Sequence, residues 1–367
     1  MNVICYVNTL SDGGAERAMS VLANGLARLN HCVTVVTDYC TPNEYPLDQS
    51  VSRNVLDGEL GDISSKGRFK RTLKRIAQLR HLCKRKKADI LISFMSDANM
   101  RAIIATSFLK TKNLISVRID PRIGYKNPMK AFLAKLLYPA AEGCVFQTED
   151  AQMWFSKSVQ RKSRVIFNPV SDVFFSNQGM PLKEKRIVSC GRLSKQKRFD
   201  LLINAFDQIC DVFPEYTLEV YGVGDLKHQL QEQITNLNRA DRIRLMGRCE
   251  DISNAIKDAS LFVLSSDYEG LPNALMEAMA LGLPVISTDC GGGGASALIH
   301  EGVDGWIVPC GDSKALAKAI DTCLSDPVEA KKRGDKAGEK AKGFSAECVV
   351  AQWEAYLKEL IGEEYEH

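Results

Sequence analysis

Short apolar runs alternate with longer amphipathic stretches along almost the whole chain. Short runs of β-branched and aromatic residues are typical of buried strands, whereas apolar residues spaced three and four apart are typical of helices. The pattern predicts strands at 2–10, 32–39, 90–94, 114–119, 143–148, 164–167, 186–190, 218–221, 243–247, 261–264, 284–288 and 302–308. Helices are predicted at 15–30, 66–87, 128–139, 315–324 and 345–361, and a linker at 171–185. Strand–helix alternation in both halves predicts an α/β protein with two parallel sheets.

Length and composition narrow the class of protein. At 367 residues the chain is too long for one ordinary hydrophobic core, and we expect two domains. No apolar run is long enough for a membrane span or a signal peptide, so a cytosolic protein is expected. The 12 cysteines are scattered without a C-x-x-C pair, which favours reduced thiols over a disulfide framework. The net charge of +3 gives no support to a nucleic-acid role.

The segment at 265–282 reads SSDYEGLPNALMEAMALG and carries the strongest sign of a ligand site. Pro272 suits the first position of a helix and Gly282 suits its end. The unpaired N–H groups and positive dipole at a helix start can hold a phosphate. Glu269 in the preceding loop and Glu277 inside the helix can bond sugar hydroxyls on either side of it. The alternative is an ordinary strand and helix with two solvated acids.

Two further loops point to phosphate. In the segment GRLSKQK at 191–197, Arg192 and Lys197 precede an amphipathic helix and can converge on one diphosphate. Gly13 and Gly14 follow the first strand, where glycines let the backbone approach a ligand closely. No G-K-[ST] follows them, which excludes a nucleoside-triphosphate P-loop, and Lys227 interrupts the only other candidate for a dinucleotide-binding glycine motif.

Taken together, these motifs resemble the retaining, nucleotide-sugar-dependent glycosyltransferases of family 4, also called group 1, of the bacterial polysaccharide and lipid-linked glycan type. Residues 269–277 match the E-x7-E motif of that family, 191–197 match G-R-L-x-x-x-K, and GGAER at 13–17 matches its glycine loop. The resemblance implies the GT-B fold, in which two Rossmann-like doubly wound domains face a central cleft. It places an acceptor-side domain at 1–168, a donor domain at 169–345, and a C-terminal helix within 346–367 that crosses back to the first domain.

The resemblance also assigns roles to residues. Arg192 and Lys197 would stabilise the departing diphosphate, Glu269 would hold the donor sugar, and Glu277 would hold the nucleotide ribose. Relatives often carry a histidine or aspartate after the strand at 114–119, where Asp120 is the matching catalytic candidate here. The other candidates are Arg118 and Arg122 for the acceptor, and Gly13, Gly14, Gly222, Gly224, Arg248, Gly270, Leu271, Pro272 and Asn273 for the donor. Ala297 departs from the family pattern, which often has a glutamate there.

The predicted helix at 66–87 carries many lysines and arginines and no acid, together with an apolar stripe. Such a helix can lie against an anionic membrane. The alternative is that the stripe packs on the sheet and the charges are solvated. Nucleic acid is disfavoured because Phe69 is the only aromatic residue of the segment. The apolar and basic helix at 128–139 would either contact a lipid-linked acceptor or pack in the core.

The predicted activity is transfer of a hexose or N-acetylhexosamine from a nucleotide donor, UDP by expectation, to a hydroxyl with retained configuration. The expected acceptor is a membrane-associated glycan, such as a polyprenyl-diphosphate oligosaccharide or a lipopolysaccharide or capsule precursor. We expect no metal or other cofactor, because the chain has no D-x-D motif and its histidines are isolated. The expected location is the inner face of the cell membrane. The rival hypotheses are a sugar-nucleotide epimerase and a catalytically inactive membrane-peripheral scaffold.

Overall fold

A computed structural model describes residues 1–11, 13–57, 67–179 and 184–362. The chain divides into two compact units. Unit 1 contains residues 1–169 and returns from residue 346 onward, and unit 2 contains residues 170–345. The first change of unit therefore falls between Pro169 and Val170, next to the expected boundary.

Unit 1 is built on a parallel sheet of seven described strands in the order β3-β2-β1-β4-β5-β6-β7. The strands are β1 (Asn2–Val7), β2 (Cys32–Thr37), β3 (Ser52–Val55), β4 (Ile90–Phe94), β5 (Lys112–Val117), β6 (Gly143–Phe146) and β7 (Ser163–Val165). The helices up to residue 169 are α1 (Gly14–Arg28), α2 (Arg68–Arg85), α3 (Ser96–Thr106), α4 (Pro121–Gly124), α5 (Pro128–Leu137), α6 (Glu149–Met153) and α7 (Lys157–Gln160).

Unit 2 repeats this architecture with six described parallel strands in the order β10-β9-β8-β11-β12-β13. The strands are β8 (Glu184–Cys190), β9 (Thr217–Tyr221), β10 (Ile243–Gly247), β11 (Ala259–Leu264), β12 (Val285–Thr288) and β13 (Trp306–Val308). The remaining helices are α8 (Asp172–Ser176), α9 (Phe199–Asp207), α10 (Lys227–Asn236), α11 (Ile252–Ile256), α12 (Asn273–Ala280), α13 (Gly294–Leu298), α14 (Ser313–Ser325), α15 (Pro327–Ala341) and α16 (Ala346–Ile361). The predicted α/β class with two parallel sheets is confirmed.

Helix α16 lies in unit 1 although it follows unit 2 in the chain. Its buried residues, including Trp353 and Leu357, join the core on the face of the first sheet that α1 covers. Alternate side chains of β1 divide between the two faces of this sheet, as expected for a strand. Ile4 and Tyr6 pack toward α2 and α3 on the opposite face. Unit 1 is thus a sheet with helices on both faces.

The sequence pattern placed most strands within a few residues of their observed ends. It overlooked β3, the helices α3, α10 and α15, and the short helices α4, α6, α7, α11 and α13. The linker prediction at 171–185 is wrong in part, because α8 forms there and buries Phe174. Pro272 is the cap residue before α12 and not its first helical residue. Gly282 ends that helix as predicted, with a left-handed φ of +74°.

The two apolar and basic helices of unit 1 differ from each other. In α2, Leu79, Leu82 and Cys83 are buried in the core while Phe69 and Leu73 are exposed, so its apolar stripe packs only in its second half. In α5, core packing is only partial, because Ala134 is buried and Leu137 packs against the core, whereas the other large apolar side chains of the helix are exposed. Among the described residues, no helix is both long enough and apolar enough to traverse a bilayer.

Candidate active site

The strand order of unit 2 creates a crevice at the carboxyl end of its sheet. β8 lies between β9 and β11, so the chain leaves β8 toward one side and reaches β11 on the other. Loops that follow such neighbouring strands diverge and leave room for a ligand at the sheet edge. Arg192, Lys197 and Glu269, predicted from the G-R-L-x-x-x-K and E-x7-E patterns, follow β8 and β11, and Glu277 lies in α12 just beyond the second of these loops.

Lys197 and Glu269 form an ion pair in this crevice. The Lys197 Nζ donates to Glu269 Oε1 at 2.6 Å, and Ser266 Oγ donates to the same oxygen at 2.7 Å. The Lys197 side chain is 17% exposed and the Glu269 side chain 11% exposed. An ion pair so shielded from water is stronger than a surface pair, and each charge fixes the position of the other. The structure therefore brings two of the four predicted catalytic residues into direct contact.

A second set of contacts fastens the same two loops. Arg198 has a left-handed backbone with φ 49°, which is uncommon for a residue with a side chain, and its Nη1 donates to Asp267 Oδ1 at 3.0 Å. The Asp267 backbone N–H donates to the Gln196 carbonyl at 2.9 Å, and Ser265 Oγ donates to the Lys197 carbonyl at 2.8 Å. Of these residues, Arg198, Asp267, Gln196 and Ser265 were not predicted as part of the site. The only sign in the sequence that they belong to the site was that they are neighbours of predicted site residues.

Arg192 is exposed at the start of the loop after β8, and its guanidinium has no hydrogen bond or ion pair within the described ranges. The two predicted glycines of the next loop support this segment. A Cβ on Gly222 would lie 1.8 Å from the Gly191 carbonyl oxygen, and one on Gly224 would lie 2.4 Å from that of Leu193. Both glycines are therefore needed for the backbone packing that places Arg192. Arg248, after β10, is also exposed.

The loop before α12 places its polar groups beside the glycine segment that follows β12. The Glu269 N–H donates to the Gly291 carbonyl at 2.9 Å, and a Cβ on Gly294 would lie 2.3 Å from the Gly270 carbonyl oxygen. The side chains of Leu271 and Pro272 are buried, so these two residues can offer only backbone to a ligand.

Helix α12 starts at Asn273 and carries Glu277 on its second turn, buried at 8% exposure. Its first N–H groups have no partner inside the helix and face the loop end, as at any helix start. Near Glu269, burial raises the pKa of the Cys290 thiol to about 12, so this group stays neutral. The crevice thus offers a lysine, an arginine and a helix start to an anion, with two carboxylates beside them.

The candidate residues of unit 1 occupy two separate places. Gly13 caps α1 with an extended backbone, and Gly14 is the first residue of that helix. Asp120 caps α4: its Oδ1 accepts from the Arg122 backbone N–H at 2.9 Å and from Arg122 Nε at 3.0 Å. Arg122 also pairs with Asp150. Asp120 is thus held in place by Arg122, which was itself a candidate site residue.

Arg118 is buried at the start of the loop that leaves β5. Its Nη1 donates to Asn168 Oδ1 at 2.6 Å, and its guanidinium lies 4.1 Å from the centre of the Phe94 ring. Burial lowers the pKa of Arg118 to about 9. Its Nε has no hydrogen-bond partner within the described residues. Arg118 therefore packs inside unit 1, whereas Arg122 is half exposed at its surface.

Comparison with known proteins identifies the family. The model of the family described as Glycosyl transferases group 1 matches residues 171–342, and that of Glycosyltransferase Family 4 matches residues 12–173. Together the two models span both units. The chain belongs to the group 1 glycosyltransferases. The crevice of unit 2, with its Lys197–Glu269 pair, lies within the first of these matches.

A relative that matches over nearly the full length supports this family assignment. The GalNAc-α-(1→4)-GalNAc-α-(1→3)-diNAcBac-PP-undecaprenol α-1,4-N-acetyl-D-galactosaminyltransferase of Campylobacter jejuni is 27% identical over 364 residues, covering 98% of this chain and 99% of its own length.

Two solved structures share the fold of this glycosyltransferase. Sucrose-phosphate synthase from Thermosynechococcus elongatus has a TM-score of 0.82 at 19% identity, with 99% of this chain and all of that chain covered. HepE from Anabaena, solved in complex with UDP, has a TM-score of 0.78 at 19% identity, with 98% of this chain and 100% of that chain covered. At this level of identity the likeness shows the fold, which is GT-B.

Proposed function

We propose that this glycosyltransferase moves a hexose or N-acetylhexosamine from a UDP-sugar to a hydroxyl of a membrane-associated glycan, with retention of the anomeric configuration. The observation that carries the proposal is the crevice of unit 2. There an exposed Arg192, without a side-chain partner among the described residues, lies in the same loop as Lys197, whose ammonium is held by Glu269. A fork-shaped guanidinium and an ammonium beside a helix start suit a diphosphate bound to a sugar.

In the proposed reaction, Arg192 and Lys197 stabilise the negative charge that develops on the departing diphosphate. Donors fixed in place before the reaction are effective because they need little reorganisation as charge develops. The ion pair with Glu269 and the Arg198–Asp267 contact supply this fixation for Lys197. In this proposal Glu269 also accepts from a donor-sugar hydroxyl, and Glu277 accepts from the ribose.

The proposed chemical step is a displacement on one face of the sugar. The bond from the anomeric carbon to the phosphate oxygen breaks while a bond to the acceptor oxygen forms on the same face. The acceptor's proton passes to the departing phosphate oxygen, so no protein base is consumed. This proposal includes no metal or other cofactor, since the two basic residues carry the counter-charge. Asp120, Gly13 and Gly14 stay predictions for this reaction.

The UDP donor is supported by HepE, a protein of the same fold that was solved with UDP. A polyprenyl-diphosphate-linked acceptor is supported by the Campylobacter relative, whose name specifies an undecaprenol-PP glycan. The exposed Lys70, Lys74 and Lys84 of α2 agree with an acceptor held at an anionic membrane. We therefore place the enzyme on the inner face of the cell membrane.

The first test is thermal stabilisation by UDP, GDP and ADP. A nucleotide at about a hundred times its Kd adds roughly 2.7 kcal/mol to the free energy of unfolding, which a melting curve resolves. The proposal expects stabilisation by UDP above the other two. UDP-sugars are then screened with a polyprenyl-diphosphate glycan, and NMR of the product gives the anomeric configuration. Product with inverted configuration, or conversion of the UDP-sugar without acceptor, would contradict the proposal.

A further inference from the structure

Helix α5 (Pro128–Leu137) presents its apolar side to solvent. Met129, Phe132, Leu133 and Leu136 follow the spacing that places side chains on one face of a helix. Met129 is 64% exposed, Phe132 62% and Leu136 61%, and Leu133 is also exposed. An apolar stripe with this spacing ordinarily faces a core. In α5 the core side is formed instead by Ala131, Ala134 and Leu137.

This exposed face is larger than ordinary surface composition explains. Single exposed apolar side chains are common on soluble proteins, but a contiguous group of large ones marks a binding surface. The other apolar side chains near α5 are used inside unit 1. Tyr125, Tyr138 and Phe155 form a buried aromatic cluster beneath the helix, which anchors it to the domain. The helix is therefore packed on unit 1 through its inner side, and its large apolar side chains on the outer side stay exposed.

Positive charges border the exposed face. Lys126 and Lys135 are exposed, and Lys130 lies on the side toward α3, where its Nζ is 3.1 Å from Asp97 Oδ1. The sequence from Lys126 to Ala141 contains no acidic residue. Lysines can extend their charged ends toward lipid phosphates while their methylenes stay in the apolar region. This charge distribution complements an anionic lipid surface. It disfavours an apolar protein partner without acidic residues, because such a partner offers the lysines no opposite charge.

We propose that the face of α5 formed by Met129, Phe132, Leu133 and Leu136 inserts into the interfacial region of an anionic bilayer. Lys126 and Lys135 then contact the lipid phosphates. A helix of this length lies in the plane of the interface and does not span the bilayer. The insertion is distinct from the electrostatic attraction of α2, because it adds apolar burial that salt does not screen.

The position of α5 gives the insertion a consequence for the acceptor, and this part rests on the proposed function. α5 begins at Pro128, directly after the loop and short helix that carry Asp120 and Arg122 at the carboxyl end of β5. Insertion of α5 holds that end of the sheet at the level of the lipid headgroups. The diphosphate of a polyprenyl carrier lies at the same level, so the acceptor is met where it is anchored.

Vesicle partitioning tests the insertion with variants that keep helix propensity. Phe132→Gln and Leu136→Gln are made singly and together, with Val212→Gln and Val328→Gln as controls at exposed apolar positions of unit 2. Binding is measured to vesicles of phosphatidylglycerol with phosphatidylethanolamine, and to phosphatidylcholine alone. Each substitution in α5 is expected to lower the partition coefficient to the anionic vesicles about tenfold, the double variant about a hundredfold, and the controls less than twofold.

A depth measurement separates insertion from mere proximity. Tryptophan at position 132, introduced as Phe132→Trp, is expected to be quenched by brominated lipid, whereas Val328→Trp is not. Unchanged partitioning of the double variant, or quenching of neither tryptophan, would overturn the proposal. So would loss of self-association in Phe132→Gln without loss of vesicle binding, since the face would then bind a second copy of this chain.

The same variants keep this test apart from the proposed function. Stabilisation by UDP involves unit 2, and the α5 double variant is expected to retain it in full. Turnover of a polyprenyl-linked acceptor in vesicles is expected to fall with partitioning, while turnover of the acceptor in detergent is not. If UDP binding is absent in all proteins but α5 inserts, the proposed transferase activity fails and the membrane surface stands.

Discussion

The ammonium of Lys197 and the carboxylate of Glu269 lie 2.6 Å apart and join the loop after β8 to the loop after β11. Each residue belongs to a different sequence motif, 72 positions apart in the chain. The pair is shielded from water, so removing one partner leaves an uncompensated charge. The contribution of the ion pair to stability and its contribution to sugar transfer can therefore be separated by substitution.

Lys197→Ala is expected to lower kcat by about 10²–10³-fold, because it removes a fixed positive charge from the departing diphosphate. It is also expected to lower the free energy of unfolding by roughly 3 kcal/mol, because Glu269 is left unpaired. Steady-state kinetics and chemical denaturation measure the two effects.

The matched control is the neutral double variant Lys197→Met with Glu269→Gln. It removes both charges and is expected to recover most of the lost stability without recovering activity. Activity restored together with stability would show that the pair acts only on folding.

Arg192→Ala is expected to leave the free energy of unfolding within about 0.5 kcal/mol of the wild type, because the side chain is exposed and unpaired within the described residues. The same change is expected to abolish most of the thermal stabilisation by UDP. Arg244→Ala, at an exposed arginine of β10, serves as the control. An equal loss of UDP stabilisation in both variants would point to a general charge effect in place of a specific contact.

Gly224→Ala tests whether the second glycine loop supports Arg192 through backbone packing. The added Cβ would lie 2.4 Å from the Leu193 carbonyl oxygen, so the loop after β8 must shift. We expect a loss of about 1–3 kcal/mol in the free energy of unfolding and weaker binding of UDP. Gly343→Ala has open space around its Cβ and is expected to change neither quantity. Full stability in Gly224→Ala would show that the loop accommodates the methyl group.

Glu354 of α16 gives a pH-dependent contribution to the stability of unit 1. Burial opposes its ionisation, but hydrogen bonds with Lys358 and His31 outweigh that and lower its pKa below the usual 4.5. A carboxyl whose pKa is lower in the folded state stabilises the protein above its unfolded pKa and loses this contribution as the pH falls. Glu354→Gln is therefore expected to cost about 1 kcal/mol at pH 7 and progressively less below about pH 4.5. Melting curves across that range check it, and a constant difference at all pH values would contradict it.

Cys310 reports on occupancy of the crevice. It is exposed, and its Sγ lies 3.3 Å from the Asp289 carbonyl oxygen and 3.6 Å from that of Ser266. We expect maleimide to label Cys310 in the free enzyme and UDP to slow this labelling. Cys32, an exposed thiol of unit 1, is expected to react equally with and without UDP. Mass spectrometry of the labelled peptides resolves the two, and unchanged labelling of Cys310 at saturating UDP would place the nucleotide elsewhere.

The sequence predicted what depends on local pattern and missed what depends on packing. The buried strand β4 was placed to the residue, because an apolar run bounded by polar residues has one good interpretation. Helix α3 was missed because its apolar positions lack a clear helical period. For α5 the sequence left two alternatives open, because the spacing of Phe132 and Leu136 defines a face but not the direction in which that face points.

The site was predicted where motifs carry it and missed where three-dimensional contacts do. Lys197 and Glu269 were singled out from their motifs, but no sequence pattern shows that they pair with each other. Arg198 and Asp267 went unnoticed because a left-handed residue other than glycine has no sequence signature. Gly222 and Gly224 were predicted from their glycine turn, but no sequence pattern shows that backbone of the loop after β8 fills the space beside them.

The crossing of α16 into unit 1 has a consequence for the order of events during synthesis. The ribosome completes residues 1–169 before any of unit 2, yet Trp353 and Leu357 fill the core of that first unit. Until the last helix emerges, the face of the first sheet between α1 and α16 stays open to water and to other nascent chains. Domains generally fold as units from the N-terminus during translation, but here the core of unit 1 is complete only after unit 2 and α16 have been synthesised. In this enzyme the core of unit 1 is therefore completed after the chain of unit 2 has been made.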